Sequence, residues 1–130
     1  MAKWANDDVM DAALDKVATG ITQTACNAQP TTYAQATNDP GSSGYALADI
    51  TLTAGDGNGD YTIAAGDTNG RKVTIAAQTG VTIDYTGTAT HVAICDGTSL
   101  LYVTTCDSQA LTATNTVTFP AWDIEIGDPT

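Results

Sequence analysis

The stretch His91–Cys106, HVAICDGTSLLYVTTC, decides how the rest of the chain reads. Two runs of β-branched, aromatic and aliphatic residues flank Asp96-Gly97-Thr98-Ser99, a group of residues that favours a tight reversal, so the stretch predicts a β-hairpin. With Cys95 opposite Leu100, Val92 and Ile94 share a face with Leu101 and Val103, while His91, Ala93, Tyr102 and Thr104 point the other way. The first four form an apolar cross-strand cluster and are expected to be buried. The same register separates Cys95 from Cys106 by roughly 20 Å, at about 3.3 Å per residue, too far for a disulfide. A disulfide would have to include Cys26.

Similar short runs lie on both sides. Ile21 to Cys26, Tyr45 to Thr53, Lys72 to Ala76, Val81 to Tyr85 and Thr116 to Ile126 read as strands. Pro40-Gly41-Ser42-Ser43-Gly44, Gly55-Asp56-Gly57-Asn58-Gly59 and Thr68-Asn69-Gly70 read as turns between them. The 24 threonines among 130 residues suit a pleated surface with one wet face. The expected fold is therefore mainly β: a β-sandwich, Ig-like or a related small barrel, preceded by one N-terminal α-helix.

That helix is expected over roughly Asp7 to Thr19. Asn6 is a good N-cap, Asp7 and Asp8 suit the positive end of the helix dipole, and Gly20 is a ready stop. Met10, Leu14 and Val17 recur at i, i+4 and i+7, with Val9 and Ala13 beside them. Residues 1–20 thus form a helical arm and 21–130 a β body, a single domain overall. The stripe either covers its own body or docks on a neighbouring chain. Trp4 is either a hydrophobic staple to the first turn or an anchor buried in a neighbour.

The net charge of −11, from fifteen acidic and four basic residues, argues against direct nucleic-acid binding. No apolar run approaches the about 18 residues of a membrane span. Met1 leads into a polar, acidic segment without the pattern of a signal peptide, so synthesis and initial residence in a cytoplasm are expected, with Cys26, Cys95 and Cys106 as free thiols. The sole adjacent basic pair, Arg71 and Lys72, is either a contact for a partner's carboxylates or a solvated strand start.

Chemical motifs are sparse. Asp56 to Asp67 (DGNGDYTIAAGD) resembles a calcium loop, with oxygen-bearing residues at positions 1, 3, 5 and 12. Tyr61 replaces the turn glycine, and Asp67 the closing bidentate Glu, so the stretch reads as a hairpin turn. His91, the only histidine, has no evident nucleophile or orienting group and reads as structural. Phosphate-loop, dinucleotide and zinc patterns are absent. Nothing here gives a positive reason to expect an enzyme, a cofactor or a metal.

Ala89 to Ile126, ATHVAICDGTSLLYVTTCDSQALTATNTVTFPAWDIEI, together with CNAQPTTYAQAT and TNGRKVTIAAQTGVTIDYTGTATH, resembles a family of small virion proteins of tailed double-stranded-DNA bacteriophages, along nearly the whole chain. The resemblance implies a virion structural protein, most of all a capsid decoration or cement protein on the outer head surface. Its partners would be the major capsid protein and copies of itself, as a trimer. A neck, tail or fibre component is the alternative, and a non-viral β-sandwich module binding a glycan or calcium the second. The residues expected at interfaces are Trp4, Met10, Leu14, Val17, Arg71 and Lys72.

Overall fold

The computed structural model describes residues 3–130. In chain order these form α1 (Asp7–Val17), β1 (Thr22–Cys26), α2 (Tyr33–Thr37), a 3-10 turn (Pro40–Ser42), β2 (Ala46–Thr51), β3 (Tyr61–Ala65), β4 (Arg71–Ile75), β5 (Gln78–Thr82), β6 (Gly87–Cys95), β7 (Leu100–Leu111), β8 (Thr116–Phe119) and β9 (Trp122–Ile126). All strand pairings within the sheets are antiparallel. One layer is the four-stranded sheet β2-β1-β6-β7. The opposing layer consists of the three-stranded sheet β3-β4-β9 and the ribbon β5-β8. The protein is a small, mainly β sandwich with an N-terminal helix.

Helix α1 starts where its capping residues dictate. Asn6 is extended, and its Oδ1 accepts the Asp8 N–H at 2.8 Å, with Asp7 and Asp8 in the first turn. It ends at Ala18, whose N–H donates to Leu14 O at 2.9 Å. Gly20 is required by close approach: a Cβ there would fall on Ile94 Cγ2 and lie 2.7 Å from the Tyr61 hydroxyl. The Tyr61 O–H donates to Gly20 O at 2.9 Å, and burial pushes its pKa up to about 12.

Two packed clusters hold the layers together, and a third seats α2 on the large sheet. Leu14 from α1 and Ala18 at its C-cap meet Leu52, Tyr61, Val73, Ile75, Ile94 and Ile124 in one of them. Leu47, Ala48, Val81, Ile83, Leu111 and Phe119 pack beneath the β5-β8 ribbon. Each fully buried Leu or Ile contributes about 1.5–3 kcal/mol. The third cluster, Cys26, Ala36, Ala93 and Cys95, lies under α2 on the other face of the large sheet. Covered on both faces, β1 is buried from Gln23 to Cys26.

The hairpin forms around the expected turn, with Asp96 Oδ1 accepting the Thr98 and Ser99 N–H groups at 2.8 and 2.6 Å. Its register departs from the expected one. Cys95 faces Leu100, but Ile94 faces Tyr102 and Ala93 faces Val103, so a bulge adds one residue to β7. Side chains beyond the bulge change faces: Ala93 and Val103 go toward α2, Ile94 and Tyr102 toward the sandwich interior. Of the four residues expected in the core, Ile94 is fully buried, whereas Val92, Leu101 and Val103 are half-buried.

Elsewhere, the single strand expected over Thr116 to Ile126 is two, because Pro120 has no N–H to continue the ladder. The pairing of β5 is with β8, and of β9 with β4.

Candidate functional site

Strand β7 forms one edge of the large sheet, while β8 and β9 form edges of the opposing layer. An apolar groove opens between these edges. Val92, Cys106, Phe119 and Pro120 line its whole length. At one end, of about 300 Å³, Thr104, Trp122 and Asp123 complete the walls. At the other, of about 500 Å³, Ala89, Asp107 and Leu111 do so.

Trp122 is anchored by two contacts. Its indole N–H donates to Gln23 Oε1 at 2.7 Å, and its ring lies 6.0 Å from that of Tyr102, tilted by 34°. Gln23 is itself fully buried, so this bond satisfies a polar group whose desolvation is otherwise costly. Its Nε2 has no hydrogen-bond partner among the described residues. The groove thus offers a fixed aromatic wall, an aliphatic floor and two carboxylates at its margin, a surface suited to a large apolar side chain next to a cation.

The residues expected at interfaces are placed quite differently from one another. Met10 and Leu14 are 5% and 1% exposed, and Val17 packs against the same core. This corrects their reading as interface residues: they are the helix face that closes the sandwich, while Val9, expected beside the stripe, is 66% exposed. Residues 1–20 are accordingly not a detached arm from Asp7 onward, since α1 completes the main core.

Trp4 is 81% exposed, which excludes a staple folded onto the first helical turn. It stands out from the body two residues before the N-cap.

Arg71 and Lys72 are likewise engaged internally. Arg71 Nε and Nη2 donate to the two carboxylate oxygens of Asp11 at 2.7 and 3.2 Å, fastening α1 to β4. Lys72 Nζ reaches Asp67 at 2.6 Å and Asp123 at 3.4 Å. These hydrogen bonds raise both basic pKa values, so the pair serves as an intramolecular clamp that holds α1 on β4 and β4 beside β9.

The carboxylates of the calcium-like stretch are dispersed among separate donors. Asp56 Oδ1 accepts the Ile63 N–H at 2.8 Å; Asp60 accepts the Thr53 N–H at 2.6 Å and Gln78 Nε2 at 2.9 Å; Asp67 accepts Lys72. Among the described residues no group of three or more His, Cys, Asp or Glu is arranged to hold a metal ion. The stretch forms a turn followed by β3, a strand that its Asp/Asn/Gly pattern does not signal.

His91 Nδ1 lies 2.9 Å from the hydroxyl of its neighbour Thr90. All three cysteines are free thiols. Burial raises the Cys26 pKa and pushes that of Cys95 up to about 11, leaving both as buried, protonated thiols. Cys106, half-buried in the groove, is the accessible one.

The groove was not anticipated from the sequence. The one available signal was the pair of aromatic residues flanking a proline, Phe119-Pro120-Ala121-Trp122, where an edge must break. No helix among the described residues is long and apolar enough to cross a membrane. Comparison with protein-family models, with curated proteins and with solved structures finds no match.

Proposed function

We propose that this chain is a virion structural protein of a tailed bacteriophage, added in many copies to the outer head lattice as a decoration or cement protein. The observation that carries the reading is the partition of its surface chemistry. Arg71 and Lys72 are tied into internal ion pairs, while Trp4, Val9 and an apolar groove are left for contact with another protein. The sequence resemblance supplies the virion context. In such a role, function is free energy of association: a modest contact repeated around the symmetry axes of a shell raises the stability of the whole. Its partners are the major capsid protein and copies of itself, with a trimer matching threefold lattice positions.

Counting copies in purified particles, with imaging to locate them, tests this. Hundreds of copies over the head surface are expected. About a dozen copies confined to a ring or spike would favour the neck, tail or fibre alternative, as closed symmetry there requires.

A further inference from the structure

We propose that Trp4 of one copy inserts into the edge groove of a second copy, with Lys3 beside it meeting Asp107 on the groove margin. The inference rests on the reading of the chain as a self-associating component, and names the contact by which it does so.

Three features of this chain select the occupant. The first is shape and polarity. Among the described residues Trp4 is the most exposed of the large apolar side chains, and the about 300 Å³ end of the groove presents Phe119, Pro120 and Trp122 to a side chain of that kind. A buried tryptophan removes about 150–250 Å² from water, and aromatic pairs add to this through offset or edge-on contact.

The second is charge. Of the four cations, Lys16, Arg71 and Lys72 form ion pairs within the chain, whereas Lys3 forms none among the described residues. Asp123, on the groove wall, is already bonded to Lys72 and Thr74. Asp107, next to Cys106 where the two ends of the groove meet, is exposed and makes no side-chain hydrogen bond among the described residues, so it is the carboxylate available to a cation entering beside the tryptophan.

The third is direction, which makes the contact intermolecular. Asp11 is paired with Arg71, at the end of β4 that faces Ile126. Gly20, beyond the other end of the helix, receives the hydroxyl of Tyr61, which lies opposite Ile75, itself opposite Trp122. Helix α1 therefore runs toward the Trp122 row, and its N-terminus leaves the body at the opposite end. Its 11 residues span about 16 Å, and the two residue steps from Asn6 back to Trp4 reach at most about 7 Å. Trp4 cannot double back to its own groove while α1 stays docked. Because arm and groove are different surfaces, the contact is head-to-tail and closes into a ring when its rotation permits.

Sedimentation or light scattering of the purified full-length chain over the micromolar range tests the proposal. The wild type is expected to assemble reversibly, and Trp4→Ala to weaken assembly at least tenfold with an unchanged circular-dichroism spectrum, as loss of a tryptophan anchor does. Lys3→Glu and Asp107→Lys should each weaken it several-fold, and their combination should restore it. A wild-type chain monomeric throughout, Trp4→Ala assembling normally, or a double variant no better than the weaker single overturns the proposal. A monomeric chain that still covers phage heads would overturn the arm exchange alone. A chain that assembles through Trp4 yet is absent from particles would uphold the exchange and overturn the virion reading.

Discussion

Strands β1 and β7 belong to one sheet and differ in almost everything but backbone pairing. The sandwich interior and α2 cover the two faces of β1, which has strands on both sides; β7 is an edge that is exposed from Asp107 to Ala110. Burial in β1 has removed choice: Thr24 and Gln23 are fully buried, the first near Cys26 Sγ at 3.4 Å, the second bonded to Trp122. The edge, by contrast, keeps its groove-facing positions half-wet. A closed strand specifies the fold, and an open one leaves surface for association.

The sharpest test of this contrast compares β6 with the edge it supports. Ile94→Ala removes a fully buried side chain that packs with Leu14, Tyr61 and Ile75, and should cost about 2–5 kcal/mol in urea unfolding. Val103→Ala, half-buried on β7, should cost about 1 kcal/mol or less, because the site is already partly hydrated. Equal losses would remove the distinction between interior and edge.

A second test uses alkali. The Cys95 thiol ionises near 9 when unfolded but only at about 11 in the fold, because burial disfavours the thiolate. The unfolded state therefore releases its proton first, and stability falls as pH rises from 9 to 11, by about 2–3 kcal/mol at the upper end. Cys26 shifts in the same direction. Replacing Cys95 with Ala should flatten this slope. Under native conditions near neutrality a thiol reagent should label Cys106 well before the other two, since they are protected by β1, β6 and α2.

Next in size is Gly20→Ala. An added methyl meets Ile94 and the Tyr61 hydroxyl, so the start of β1 or the end of α1 has to shift, at about 1–3 kcal/mol by thermal or urea unfolding. An unchanged midpoint would show that the junction yields without strain.

What the sequence disclosed follows the range of the forces involved. Helix α1 was legible because its signals are local: Asn6, Asp7 and Asp8 at one end, and apolar residues at helical spacing. The turn at Asp96 was legible for the same reason. The bulge in β7 was not, since nothing in LLYV says which residue will be the extra one; that depends on packing against α2 and Trp122. Helix α2 escaped notice because it has only five residues, although Thr32 and Gln35 carry a capping-box spacing. Thr32 Oγ1 accepts the Gln35 N–H at 3.2 Å, and Gln35 Oε1 accepts the Thr31 N–H at 2.8 Å. For the expected interface residues, periodicity located an apolar face but could not say what would cover it. Met10 and Leu14 met their own sheets, and Trp4 did not.

The smallest expected effect on stability belongs to Trp4→Ala. Ten positions separate Trp4 from Leu14, and both are large apolar side chains of the same N-terminal segment. Leu14 is 1% exposed and sits in the main core, so its truncation should cost about 2–5 kcal/mol. Trp4 is 81% exposed and precedes the Asn6 cap, so truncation removes almost no buried area and leaves the cap bond intact. The unfolding free energy of the monomer, measured at dilution where assembly is absent, should change by no more than about 0.5 kcal/mol. A larger loss would mean that Trp4 folds onto its own body in solution, joining Leu14 as a structural residue and erasing the contrast between the buried helix face and the free arm.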